Sequence, residues 1–274
     1  MQLVLLNFVA LLLPPFCRSL NFFRMAAPKV LTTNSLPAWG DLEQRSRTTP
    51  YGSDWLREED LRALGEGLPH TNAKIRLFGT TGEPRITFFR DTAAWCPYCQ
   101  KVWILLEEKK IPYKLQKINM RSYGDKPAEF LRMVPGGLLP AIIIDNERVQ
   151  TESLEIMLNL DKMFMGPAQK SMWPAEGTEE NKRAKVLMQL ERQLFGAWCN
   201  LVFRPPGERE KKQFDMCMDE VEKQLTVAPG PFFLSTFSIV DLTYITHVER
   251  MAASIAYWTG FLVRCPTAPV PPNI

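Results

Sequence analysis

Apolar positions along the chain follow three patterns, and each predicts a different kind of structure. Residues 3–13 are apolar throughout except at Asn7, and the run then meets Pro14 and Pro15. It is shorter than the ~20 apolar residues of a bilayer-spanning helix. It reads as the core of a signal peptide, although the usual preceding basic residue is missing. From residue 74 to about residue 165, short β-prone runs punctuated by Gly and Pro alternate with stretches of helical period. After residue 177 only the helical period remains.

The individual elements follow from these patterns. Residues 53–65 predict a helix capped by Ser53, with early acids at Asp54, Glu58 and Glu59 and a stripe of Leu56, Leu61 and Leu64. Gly65, Gly67 and Pro69 end it. Residues 75–78 and 85–90 predict strands bounded by Gly79, Gly82 and Pro84. Residues 97–110 predict a helix: Val102, Leu105 and Leu106 share a face, and Lys109 and Lys110 suit its C-terminal dipole. A strand at 113–119, a short helix at 125–133 and a hairpin of 140–145 with 148–150 follow, the hairpin turning at Asp145-Asn146. A helix at 151–164, with Leu154, Met157, Leu158 and Leu160 on its apolar side, closes this region. Gly166, Pro167, Trp173 and Pro174 mark a linker. Three amphipathic helices are predicted at 178–203, 208–226 and 239–260, and Met188, Leu190, Leu194, Trp198 and Val202 form the core side of the first.

The organisation read from this is a leader over 1–49, expected to be disordered, and a helical extension over 50–73. An α/β domain over 74–165, a linker over 166–176, a helical domain over 177–264 and an irregular Pro-rich tail over 265–274 complete it. With 46% hydrophobic and 23% charged residues, the body can bury a core without disulfides or metals. The formal charge of +3 comes from the arm: five bases and two acids precede residue 50, leaving 28 of each sign in the remainder. A nucleic-acid partner would need a cationic face, and nothing in that balance announces one, so no nucleic-acid partner is expected. The region 18–49 is rich in Arg, Ser and Thr and poor in acid, which is transit-peptide composition. A signal core followed by such a stretch resembles the two-part leader of plastid proteins in algae with secondary plastids. A secretory signal with a disordered pro-region, or a cytoplasmic protein, is the alternative. No stable membrane span is expected in the mature protein.

Of the six cysteines, only Cys96 and Cys99 are close together. This is not a secreted disulfide framework. Trp95-Cys96-Pro97-Tyr98-Cys99 lies just after a predicted strand and opens a predicted helix. The partial positive charge of a helix N-terminus stabilises a thiolate, and Pro97 suits the first turn. Cys96 is the expected nucleophile and Cys99, one turn on, the expected resolving thiol. Half a zinc site would need a second Cys or His pair, and none follows. Two structural cysteines remain the bland alternative, which the strand-CPYC-helix setting disfavours. Cys199, Cys217 and Cys265 carry no spacing signal, and His70 and His247 are expected to be packing or surface residues.

Cys-Pro-Tyr-Cys after a strand resembles the active-site motif of glutaredoxins, but the helical second half does not. The stretch 74–264 as a whole resembles the cysteine-type glutathione S-transferases of the omega and related iota-like classes. The resemblance implies an α/β plus all-α fold: an N-terminal thioredoxin-like, glutathione-binding domain followed by a helical C-terminal domain. It implies glutathione as co-substrate, no metal, and Lys126 meeting the glycine carboxylate of glutathione, after a loop at 121–124 that is longer than usual. Pro140 matches the family's cis-proline, which presents the backbone of Leu139 to the cysteinyl part. Glu152 matches the residue that takes the glutathione ammonium, and Ser153 with its helix N-terminus the γ-glutamyl carboxylate. Ser238-Ile239-Val240-Asp241 resembles the family's helix-capping box.

The function this implies is glutathione-dependent thiol transfer or reduction, by deglutathionylation or dehydroascorbate-type reduction. The partner is a small electrophile or a mixed disulfide. Dimerisation is common in the family. The alternatives are a non-catalytic binding protein and a fatty-acid-derivative isomerase. Family members continue with further helices where this chain reads Pro266-Thr267-Ala268-Pro269-Val270-Pro271-Pro272. The expectation is therefore a truncated second domain or an error in the gene model at its end.

Overall fold

The computed structural model describes residues 37–166, 170–205 and 207–260. The signal core, most of the transit-like stretch, Cys265 and the Pro-rich tail lie outside these residues.

The centre of the first domain is a five-stranded sheet. Its strands are β1 (Ile75–Arg76), β2 (Ile86–Asp91), β3 (Tyr113–Ile118), β4 (Ala141–Ile144) and β5 (Arg148–Gln150), in the order β1-β3-β2-β4-β5. β2 and β3 run parallel, joined through α3 (Pro97–Glu108), and β4 and β5 form an antiparallel hairpin beside β2. Asp145 and Asn146 turn that hairpin with φ of 54° and 61°, a conformation these two residue types tolerate better than most. Every residue of β2 is buried because both sheet faces are covered. Ile86 and Phe88 face α3 and α5 (Ser153–Met163); Phe89 faces Phe130 of α4 (Ala128–Met133). This is a thioredoxin-like domain with one short strand, β1, added at its edge.

Three long helices follow: α6 (Glu179–Val202), α7 (Glu208–Leu225) and α8 (Ile239–Thr259). Leu187, Leu194, Trp198, Phe214, Val221, Tyr244 and Met251 close their common core. α8 also belongs to the first domain, because Ile239 and Leu242 pack into the sheet's core with Leu105 and Ile156. Its start is fixed by Asp241, whose Oδ2 accepts from Ser238 N–H (2.8 Å) and Ser238 Oγ (2.6 Å) and whose Oδ1 accepts from Phe233 N–H (3.0 Å). Asp241→Ala removes all three bonds and leaves buried donors without acceptors. It should cost about 3 kcal/mol of stability, ~1 for the cap and the rest for the orphaned N–H groups, measurable as a lower denaturant midpoint.

Several boundaries differ from the sequence reading. α1 (Trp39–Arg47) lies within the stretch assigned to the leader; it buries no residue, so no apolar periodicity announced it. α2 (Pro50–Ala63) is capped by Thr49, which accepts from Gly52 N–H at 3.0 Å, and Ser53 lies inside the helix. Pro50 at the first helical position sets that start. Leu64 of the expected stripe is exposed. α4 begins at Ala128, since Pro127 disfavours the helical region for the residue before it. Lys109 does not merely complement a dipole: it is buried, and its Nζ lies 2.6 Å from Asp161 Oδ1. Arg76 anchors the extension to the sheet domain, donating to the Glu66 and Gly67 carbonyls (2.8 Å each) and bidentately to Glu107 (2.8 and 3.0 Å).

Candidate active site

The sheet gathers the predicted residues at one end. β2 ends at Asp91, and its loop leads to Cys96 at the N-terminus of α3. Because β4 runs antiparallel with Ala141 opposite Phe89, Leu139 and Pro140 precede it at the end of the sheet where β2 finishes. The Leu139-Pro140 peptide is cis, and Leu139 packs against the core that holds Cys96 and Cys99. β5 ends at Gln150, opposite Ile142, so Glu152 and Ser153 come to the same end of the sheet. Lys126 Nζ donates to the Gly137 carbonyl (2.6 Å) just before Leu139 and keeps two further donors for a ligand. Glu152 is exposed, with φ of 65°, a strained value for a residue other than glycine; Ser153 is buried at the first position of α5.

Cys96 is the N-cap of α3, and its Sγ accepts from Cys99 N–H at 3.4 Å. The Cys99 thiol donating to it, with the Cys99 and Tyr98 N–H groups, outweighs burial and lowers the Cys96 pKa to about 7. Burial, followed by the neighbouring Cys96, pushes Cys99 well above its ordinary value. One sulfur is therefore partly ionised near neutral pH, and the other holds its proton. Cys96 is 9% exposed and Cys99 1%, so only the first has an open edge. Next to it Trp95 is 67% exposed and meets Tyr123 edge-on, at 5.8 Å between ring centroids.

Sequence reasoning missed the rest of the surroundings. Tyr98 of the motif reaches the helical domain, where its ring meets His247 (5.3 Å) and its hydroxyl accepts from Arg192 (3.3 Å). His247 is fully buried with Nδ1 2.6 Å from Glu191 Oε1; burial pushes its pKa down, so the imidazole is neutral at pH 7. Glu191 is held ionised by His247 and by the bidentate Arg192 (2.7 Å twice), against the effect of its own burial. Lys101 is buried under the Tyr98 ring (5.2 Å), and burial lowers its pKa to about 8. Arg250 of α8 donates to the Trp95 carbonyl (2.7 Å) and to Gln100 Oε1 (2.5 Å), and so fixes both sides of Cys96 from the other domain. Cys199 and Cys217 are free, half-buried thiols whose pKa values burial raises, with Arg192 opposing the rise at Cys199. His70 is half-buried and accepts from Asn72 N–H.

Residues 95–163, from Trp95 through α5, match the family model of the glutathione S-transferase N-terminal domain. Over this stretch the chain is similar to glutathione transferases. It is 28% identical over 184 residues to glutathione S-transferase L2, chloroplastic, of Arabidopsis thaliana, covering 65% of this chain and 60% of that protein. It is 26% identical over 175 residues to glutathione S-transferase DHAR2 of the same plant, covering 63% and 75%. Among solved structures it shares its fold with glutathione transferase Omega 3C from Trametes versicolor, with a TM-score of 0.56, 24% identity, and 66% and 78% of the two chains covered. The sheet domain packs against the helical domain through α3 and α8.

Proposed function

We propose that this protein is a cysteine-type, glutathione-dependent thiol transferase or reductase of the omega/iota-like kind, with Cys96 as nucleophile. The observation that carries the reading is Cys96 Sγ at the N-cap of α3, at the end of the sheet where the chain also brings Leu139-Pro140, Lys126 and Glu152-Ser153. Glutathione binds there with its cysteinyl backbone on Leu139, its glycine carboxylate on Lys126, its ammonium on Glu152, and its γ-glutamyl carboxylate on Ser153 and the α5 N-terminus. The Cys96 thiolate attacks the glutathionyl sulfur of a mixed disulfide, forming a Cys96–glutathione disulfide. The partner leaves as its thiolate and takes a proton. A second glutathione thiolate then attacks the adduct and departs as glutathione disulfide, or Cys99 displaces glutathione and leaves a Cys96–Cys99 disulfide for later reduction. A small oxidised substrate of dehydroascorbate type, which carries no sulfur, enters differently: the Cys96 thiolate adds to a carbonyl carbon, and a glutathione thiolate then attacks the Cys96 sulfur, so that the carbon–sulfur bond breaks, the reduced ene-diol leaves with a proton and the same Cys96–glutathione disulfide remains. A plastid location is part of the proposal, supported by the leader composition and by the chloroplastic relative.

Incubation with oxidised glutathione should add one glutathione to Cys96 in the intact-protein and peptide mass spectra. An adduct confined to other cysteines, or none, would reject the reading. Cys99→Ser should accumulate that adduct and lose less activity than any change at Cys96. Alkylation of Cys96 by iodoacetamide should rise about tenfold per pH unit below 7 and level off above it, following the thiolate fraction. A midpoint near that of an ordinary cysteine would contradict the helix-end activation.

A further inference from the structure

Among the buried charged side chains at the site to which the mechanism above gives no task, one has its carboxylate beside both sulfurs. Asp91, the last residue of β2, is fully buried. Its Oδ2 accepts from Trp95 N–H at 2.6 Å, which fixes the carboxylate's orientation. Its Oδ1 is equally buried and has no hydrogen-bond partner among the described residues. The adjacent Arg90 guanidinium attracts this carboxylate electrostatically but makes no hydrogen bond to it: it donates to the Asp91 and Thr71 backbone carbonyls (2.6 and 2.7 Å) and lies over the Trp103 ring. A buried carboxylate oxygen without a donor is costly, and one explanation is that a cation is its partner.

The sulfurs supply the rest of such a site. A carboxylate oxygen of Asp91, Cys96 Sγ and Cys99 Sγ all lie within 4.8 Å of one another, on three buried residues. Around a tetrahedral zinc ion with bonds of about 2.3 Å to sulfur and about 2.1 Å to oxygen, ligand atoms sit about 3.5–3.8 Å apart. The three donors therefore need to close by about 1.3 Å at most. Two sulfurs and one carboxylate oxygen select a soft or borderline ion over magnesium or calcium. Cys96, the partly exposed member, gives the entry side.

We propose that Asp91, Cys96 and Cys99 form a three-ligand site for a thiophilic divalent cation of the zinc class, with the fourth position open to water or an incoming thiol. Binding forms two metal–sulfur bonds and one metal–oxygen bond and releases the remaining thiol protons to solvent. It consumes both sulfurs, so the occupied protein holds its nucleophile masked and protected from oxidation until a chelator or a competing thiol removes the ion. The site does not depend on the glutathione reading, since it needs only the reduced thiols and the carboxylate.

The test is titration of the reduced full-length protein with cadmium, without glutathione, followed by the ultraviolet thiolate-to-metal charge-transfer band and by competition with a chelator for zinc. The expected result is one ion per chain, displaced equally by zinc, with binding lost when Cys96 and Cys99 are oxidised to a disulfide. Asp91→Asn should weaken binding about 100-fold or more, since even loss of an outer-shell partner costs about 10- to 100-fold. Circular dichroism checks that this variant folds; if it does not, Cys99→Ser carries the test and should lose the band. Absence of a one-to-one complex, wild-type affinity in folded Asp91→Asn, or wild-type affinity in Cys99→Ser would each overturn the proposal.

Discussion

Cys96→Ser is expected to lower glutathione-dependent reduction of a model disulfide by about a thousandfold or more, as loss of a nucleophile does elsewhere. The fold should survive. A serine hydroxyl can accept the Cys99 N–H that Cys96 Sγ accepts at 3.4 Å, and it is a better helix cap than a thiol. What disappears is the anion: a hydroxyl cannot ionise near pH 7 at a helix end, while this thiol, with its pKa near 7, can. The expected signature is thus activity lost at an unchanged melting temperature. Activity retained within tenfold would move the chemistry to another residue and remove the basis for the roles given to Leu139, Lys126 and Glu152.

The second large effect falls on stability. Asp161 on α5 accepts from Lys109 Nζ (2.6 Å), from Ser171 Oγ (2.6 Å) and from Met172 N–H (3.0 and 3.1 Å). Lys109 and Asp161 are both 3% exposed. Asp161→Ala leaves a buried ammonium without its carboxylate and releases the linker segment that leads into the helical domain. The loss should be about 3–5 kcal/mol, a large share of the ~5–15 kcal/mol by which domains are stable. Urea unfolding at an unchanged slope measures it. Changing both partners, Lys109→Met with Asp161→Leu, should restore much of the loss, because the apolar pair is spared the desolvation of two charges. A single variant that loses under 1 kcal/mol would show that water already reaches the pair.

Much of this architecture is written locally in the chain. Val102, Leu105 and Leu106 mark the inner face of α3 by spacing alone, and all three are fully buried. The three C-terminal helices begin and end within a residue or two of the sequence reading, because Thr178, Gly207 and Ser238 stand at their caps. The hairpin turn at Asp145-Asn146 is equally local. Where the reading slipped, a local signal was weighed wrongly, as with Thr49-Pro50 against Ser53, or there was none, as with the solvated helix Trp39–Arg47.

The surroundings of the sulfurs are another matter. Arg250 is 155 residues from Trp95, and Glu191 and His247 are 56 apart, so their meeting depends on how α6 and α8 pack and leaves no mark on any short window. Asp91 was within reach, since a carboxylate ending a wholly buried strand five residues before a thiol is unusual for its cost. The positive φ of Glu152 had no sequence signal, because nothing but the fold selects it.

The hold of Arg250 on the Trp95 carbonyl and on Gln100 bears on any attempt to borrow this motif. Residues 74–165 excised or grafted elsewhere would keep the CPYC letters and lose the clamp on the loop, together with Ile239 and Leu242 that fill the sheet's outer layer. The reactive sulfur is in that sense shared property of two halves of the molecule. Drift in the distant helix would be felt as a change in thiol reactivity before it was seen as a change in shape.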